Sequence, residues 1–543
     1  VAKPSNSQKP TRSLAGIAGI VAAATLISKI FGLVRQQAIA AAFGVGPVVD
    51  AYNAASIIPG FFLIILGGIN GPFHSAIVSV VSRRKKEEIA PLVETITTLV
   101  GLLLLLVTVL LVVFAAPLID LVARGFSETP EGLVSRAIAI QQFRIMAPMA
   151  LFAGLIGIGF GSLNAADHYW LPSISPLLSS VTVLIGLVVL ALQLGPEITA
   201  PEYALLGGLV LAWGTLAGAV LQWLVQIPAQ WRSGLGTLRL RFNFRRPGVQ
   251  EVVRIMGPAT LSSGMLQVNV YTDLFFASAI PGAISALTYA NLLVQTPLGI
   301  VSNVILVPFL PIFSRLAEPA QWDELKVRIR QGLFLTALTM LPLSAIMITL
   351  AFPIVRVIYE RFAFDEDASQ IVTPVLIAYG IGMFFYLGRD VLVRVFYALG
   401  DGETPFRISI INIVINGVLD YVLVGPLGAP GLVLATVGVN LISTIALLVL
   451  LDRKLNGLPW RDWSLPTLQL TGISVLAGIA CWGTLQGCER LLGTEGFLVQ
   501  LLQLGASSLV GLAVFALLST RLNLPEVDML VGRLRQRFFR REG

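Results

Sequence analysis

SKIFGLVRQQAIAAAFGVGPVVD, residues 28–50, sets Lys29, Arg35 and Asp50 inside what is otherwise a membrane-spanning pattern. An ionisable group at bilayer depth costs roughly 2.5–3.5 kcal/mol on insertion scales. A chain bears that cost where the group faces other protein or a water-filled cavity. The three charges therefore predict a polar chamber inside a membrane protein, and a chamber predicts transport.

Composition extends that reading to the whole chain. Of 543 residues, 56% are hydrophobic and 12% charged, with a mean hydropathy of +0.84. Soluble domains carry about 25% charged residues. The expected fold is an all-α polytopic membrane protein. Apolar segments long enough for roughly 30 Å of hydrocarbon number fourteen, near 15–43, 49–80, 92–116, 138–164, 171–194, 203–228, 250–280, 284–313, 331–355, 370–399, 404–425, 428–451, 465–486 and 497–520. The first seventeen residues are polar and basic and lead into an apolar run too long for an h-region, so no cleavable signal peptide is expected. Cys481 and Cys488 fit neither a disulfide framework nor a metal site.

The positive charge sorts by side. Of 37 Lys and Arg, 26 fall on the two tails and on alternate connections, 5 on the opposite connections, and 6 within or at the ends of spans. That asymmetry predicts both termini on the cytoplasmic side. The tail cluster RLRQRFFRR (533–541) beside a final span suits anionic lipid, and no nucleic-acid partner is expected. The chain also looks duplicated. DAYNAASIIP (50–59) and SALTYANLLVQTP (285–297) each open the second span of a half, and each span ends in a Ser-Arg. The expected plan is an N-tail (1–14), an N-lobe of spans 1–6 (15–228), a basic linker (229–249), a C-lobe of spans 7–12 (250–451), two appended spans (452–520) and a basic C-tail (521–543). Repeats with a site at their interface are the usual build of secondary transporters.

Two groups of residues are candidates for binding. Ser28 lies seven residues before Arg35 and on nearly the same helix face, while Lys29 is about 120° round from Arg35. A guanidinium matches phosphate oxygens with a fork of donors and stays charged in a dry site. Arg35, Lys29, Asp50 and Ser28 are therefore candidate substrate contacts, with a structural ion pair between Arg35 and Asp50 as the alternative. Asn416 and Asp420 stand i, i+4 in the eleventh span, Asp273 lies in the seventh and Thr436 in the twelfth. Carboxylate, amide and hydroxyl oxygens suit a hard cation such as sodium; the alternatives are that Asn416 and Asp420 simply bond neighbouring helices or that one is protonated. Arg389, Asp390 and Arg394 read as an internal ion pair, His74 as a hydrogen-bonded helix histidine, and the acidic run 365–367 as a solvated turn. No metal other than sodium and no further cofactor is expected. HExxH, GxSxG and Walker A motifs do not occur, so the chain is read as a transporter driven by a gradient rather than as an enzyme.

Residues 28–59 resemble the amino-terminal signature of the MurJ (MviN) family of lipid II flippases, and RVFYALGDGETP (394–405) resembles its second signature. The resemblance covers nearly the whole chain and implies two six-helix lobes around a central cavity. It also implies a groove for a polyprenyl tail on spans 13 and 14. The implied substrate is an undecaprenyl-pyrophosphate-linked peptidoglycan precursor, moved by alternating access to the outer leaflet of the cytoplasmic (inner) membrane. Membrane lipids and cell-wall synthesis proteins are the implied partners. Arg35 and Asp50 match family cavity residues, Lys29 stands where many members have arginine, and Asp273, Asn416, Asp420 and Thr436 align with sodium ligands proposed for some members. Leu63 and Leu292 stand where the family has arginines, and GGINGP (67–72) replaces an acidic step. A flippase for another polyprenyl-linked glycan, a drug/cation antiporter of the same superfamily, and a non-transporting scaffold are the alternatives.

Overall fold

Long apolar runs in lipid have one economical solution, since every backbone group must be satisfied within its own segment. The computed structural model follows it. It describes residues 14–68, 72–265, 268–522 and 524–527, and among these the regular structure is helical apart from one isolated bridge between Arg361 and Phe364. The expected N-tail up to residue 13, the cluster 533–541 and residues 69–71 of GGINGP lie outside the described residues.

The chain divides into two compact units, residues 1–271 and 272–543. The first contains α1 (Leu14–Phe43), α2 (Pro47–Ile65), α3 (Pro72–Val81), α4 (Lys86–Val113), α5 (Ala115–Val122), α6 (Pro130–Met146), α7 (Met149–Ala165), α8 (Trp170–Ile174), α9 (Leu177–Leu194), α10 (Ala204–Leu224), α11 (Ile227–Arg232) and α12 (Pro247–Met265). The boundary falls inside α13 (Val268–Ala277). The second continues with α14 (Ala283–Val301), α15 (Val307–Arg315), α16 (Trp322–Thr349), α17 (Ala351–Tyr359), α18 (Glu366–Ala398), α19 (Glu403–Leu427), α20 (Ala429–Lys454), α21 (Trp460–Leu492) and α22 (Phe497–Ser519).

Twelve described helical stretches are long and apolar enough to cross a membrane, and they fall on twelve of the fourteen expected spans. The other two are α1, which carries Lys29 and Arg35, and the α12–α13 region. Spans 2 and 8 differ from the unbroken segments expected. In the first, α2 stops at Ile65, a turn follows through Gly67 and Gly68, and helix resumes at Pro72. In the second, a π-turn over Ser302–Leu306 separates α14 from α15. Glycine and proline explain both, because Gly destabilises a helix interior and Pro308 and Pro311 have no N–H to donate.

Within the first unit, α7 packs against α2, α3 and α4, and α9 pairs with α10. The glycines of FAGLIGIGFG allow these approaches. A Cβ on Gly157 would lie 1.8 Å from the Leu66 carbonyl oxygen, so only glycine fits. On α4, Ile96, Val100 and Leu104 face this core, while Leu103, Leu106 and Val109 are exposed, as a lipid-facing side requires. In the second unit α18 packs between α16 and α20, and α21 and α22 pair with each other and reach α16. Leu470 and Ala477 of α21 share a buried cluster with Phe334 and Leu338 of α16 and Phe515 of α22.

The expected linker is not a loose tether. After α11 the chain runs without helix to Pro247, and the buried Glu94 of α4 holds it. Glu94 Oε1 accepts the Thr237 backbone N–H (2.8 Å) and hydroxyl (2.6 Å), and Oε2 accepts Arg241 Nε at 2.5 Å. The Arg241 backbone N–H donates to Thr98 Oγ1 at 3.0 Å. Gly236, at φ +116°, brings the backbone against α4, where a Cβ would sit 3.3 Å from the Ala90 carbonyl oxygen.

Candidate functional site

The first-unit candidates share α1 and the start of α2. Ser28 and Arg35 are half-buried, and Ser28 Oγ and Arg35 Nε are each enclosed with no hydrogen-bond partner. Lys29 is exposed on another side of α1, in keeping with its angular offset. Asp50 is 3% exposed in the first turn of α2, a helix that Pro47 starts with its fixed φ. Two residues on, Tyr52 Oη and Thr215 Oγ1 lie 2.7 Å apart and pin α2 to α10. Buried donors without partners are costly, and Arg330 Nε and Arg389 Nε share this condition with Arg35 Nε.

The second-unit candidates converge. The Asn416 amide donates to Asp273 Oδ1 at 2.9 Å and to Asp420 Oδ2 at 2.7 Å. Thr436 Oγ1 lies 3.4 Å from Asn416 Oδ1 and 3.5 Å from Asp273 Oδ2. Asn416 and Asp420 are fully enclosed, and Asp420 Oδ1 has no hydrogen-bond partner. Three helices, α13, α19 and α20, thus bring two carboxylates, an amide and a hydroxyl to one point. Such groups suit a hard cation, and here the Asn416 amide N–H already fills one oxygen of each acid.

Other expectations change. Asp390 and Arg394 form no ion pair among the described residues. Asp390 is exposed, Arg394 Nη1 reaches the Leu306 carbonyl oxygen (3.5 Å), and Arg389 Nη2 reaches Ser409 Oγ (3.3 Å). Residues 365–367 are not merely a solvated turn, because Asp365 caps α18 by accepting the Ala368 N–H at 2.9 Å. His74 Nε2 is hydrogen-bonded to Asn164 Nδ2 at 2.7 Å, as a helix histidine would be. Cys481 and Cys488 are free.

The sequence reading missed two anchors. One is Glu94. The other is Asp401 in ALGDGETP, which accepts the Thr404 N–H (3.0 Å) and hydroxyl (2.8 Å) in the first turn of α19 and the Lys454 ammonium (2.6 Å) from α20. Burial pushes the Asp401 carboxyl up, but Lys454 and Thr404 outweigh it and hold it down at about 2. This string of the second signature is therefore a joint between α18, α19 and α20.

Residues 39–502 match the family model described as lipid II flippase MurJ. A Synechocystis protein described as a probable lipid II flippase MurJ is 59% identical, covering 99% of this chain and 100% of its own length. The lipid II flippase MurJ of Burkholderia cenocepacia is 29% identical over 84% of this chain and 88% of its own. Among solved structures, a lipid II flippase MurJ in an inward closed conformation superposes with a TM-score of 0.72 at 23% identity, covering 93% and 98% of the two chains. An inward-facing multidrug-resistance transporter of the MATE family superposes at 0.58 and 15% identity over 81% and 98%, a likeness of fold alone.

Proposed function

The chain belongs to the MurJ family of lipid II flippases, and we propose that it carries lipid II from the inner to the outer leaflet of the cytoplasmic membrane by alternating access. The full-length relationship to the Synechocystis flippase, at 59% identity, carries this reading. In it, Arg35 draws the pyrophosphate, Ser28 adds a hydroxyl on the same face, Lys29 attracts the headgroup and Asp50 orients the arginine or a sugar hydroxyl. The unpartnered Arg35 Nε supports that role. Both termini lie in the cytoplasm on this reading, with the 26 basic residues of the two tails and the alternate connections facing it.

Sodium is the coupling ion that the second-unit cluster suits. Asp273, Asn416, Asp420 and Thr436 would hold it, and its single positive charge would offset one of the two carboxylates. Asn416 meanwhile keeps α19 tied to α13. The tail groove belongs to α21 and α22.

A second reading, transport of another polyprenyl-linked glycan, is favoured by one observation. Leu63 and Leu292, both half-buried, put no cation where the resemblance implies family arginines. Complementation separates the two. The chain is expressed in bacteria depleted of their own lipid II flippase, and survival is scored with outer-leaflet lipid II. Rescue is expected, and Arg35→Ala should abolish it while the protein still accumulates. Failure by a well-inserted protein would favour the other glycan.

A further inference from the structure

The segment between α11 and α12 inverts the polarity of an ordinary protein surface. Here Thr237 and Arg241 turn toward α4 and are held by Glu94 and Thr98. Leu238, Leu240 and Phe242 turn away from the protein and are 54%, 72% and 63% exposed, and Trp231 just before them is 51% exposed. In water, the polar side would face out and the apolar side in. An apolar row turned outward beside a membrane span finds its counterpart in lipid.

Depth and charge agree. Glu94 and Thr98 lie eight and twelve residues beyond Lys86, where α4 begins, or roughly 12–18 Å along its axis. The segment therefore runs beside the helix rather than past its end. Arg232, Arg239 and Arg245 are exposed along it, and no Asp or Glu occurs from residue 229 to residue 250. Aromatic and leucine side chains interleaved with arginines suit the boundary between acyl chains and phosphates.

We propose that residues 231–246 form an interfacial strap that binds anionic phospholipid. Leu238, Leu240 and Phe242 lie at the acyl boundary, and Arg232, Arg239 and Arg245 take headgroup phosphates. The leaflet is the cytoplasmic one on the orientation proposed above. Insertion of the strap does not depend on that orientation, because vesicles of uniform composition present the same lipid to both sides.

The test places a spin label at Leu240→Cys in a full-length Cys481→Ala/Cys488→Ser background. The protein is reconstituted in phosphatidylcholine with and without phosphatidylglycerol. Access to oxygen is compared with access to a water-soluble nickel chelate, with Glu88→Cys, exposed near the start of α4, as the aqueous reference. The oxygen-to-nickel ratio at residue 240 should exceed the reference several-fold in mixed vesicles. It should fall when phosphatidylglycerol is omitted or when Arg239→Gln and Arg245→Gln are added. A ratio equal to that of the Glu88→Cys reference overturns the proposal. A high ratio indifferent to both changes overturns the assignment to anionic headgroups.

Discussion

Asp420 has one carboxylate oxygen on the Asn416 amide and the other enclosed without a donor. That asymmetry gives a residue-scale prediction. Sodium should raise the melting temperature of the purified protein, since a ligand at 100 times its dissociation constant stabilises by about 2.7 kcal/mol. Asp420→Asn should flatten the sodium response, and a response identical to the parent would remove Asp420 from the site. For Arg35, truncation strands a phosphate in a poorly solvated place at about 2–5 kcal/mol. Flipping measured in vesicles should then fall at least about 30-fold in Arg35→Ala. Arg35→Lys should recover only part of this, having lost the fork of donors. Asn416 and Asp420 were legible in the sequence because i, i+4 spacing on one helix needs no tertiary knowledge. The same rule failed for Asp390 and Arg394, whose guanidinium reaches a backbone carbonyl of the π-turn instead. Glu94 was illegible for a third reason. A single acid in an apolar run says nothing of partners in a segment without periodicity.

At the scale of elements, Asp401 joins the start of α19 to the end of α20. Its carboxyl sits at about 2 against an ordinary 3.8, so the charged form is favoured by folding. The stability it contributes is present above about pH 3.8 and lost as pH falls toward 2. Asp401→Asn should therefore melt lower than the parent at pH 6, with the gap narrowing below pH 4. A gap that persists unchanged at pH 3 would count against the ion pair with Lys454. Helix positions came readily from hydropathy, because long apolar runs read plainly. The interruptions in spans 2 and 8 did not, although Gly67, Gly68, Pro308 and Pro311 were in view. Proline and glycine are tolerated in many membrane helices, and whether they break one depends on what re-satisfies the freed groups.

For the whole molecule, charge placement speaks most clearly about orientation. Cysteine at Glu128, exposed after α5, should react with an impermeant maleimide in intact cells. Cysteine at Glu88 should react only after permeabilisation. The reverse pattern would invert the topology. Each lone carboxylate also carries a schedule. Glu94 and Asp273 each find their first partner 143 residues further along the chain. At a bacterial pace of about 5–20 residues per second, that is a delay of roughly 7–30 s. During synthesis each acid thus enters the bilayer well before the ribosome has made the groups that answer it. The translocon or a membrane chaperone must shelter α4 and then α13 through those intervals, and a proteolytic surveillance system has the same seconds in which to act.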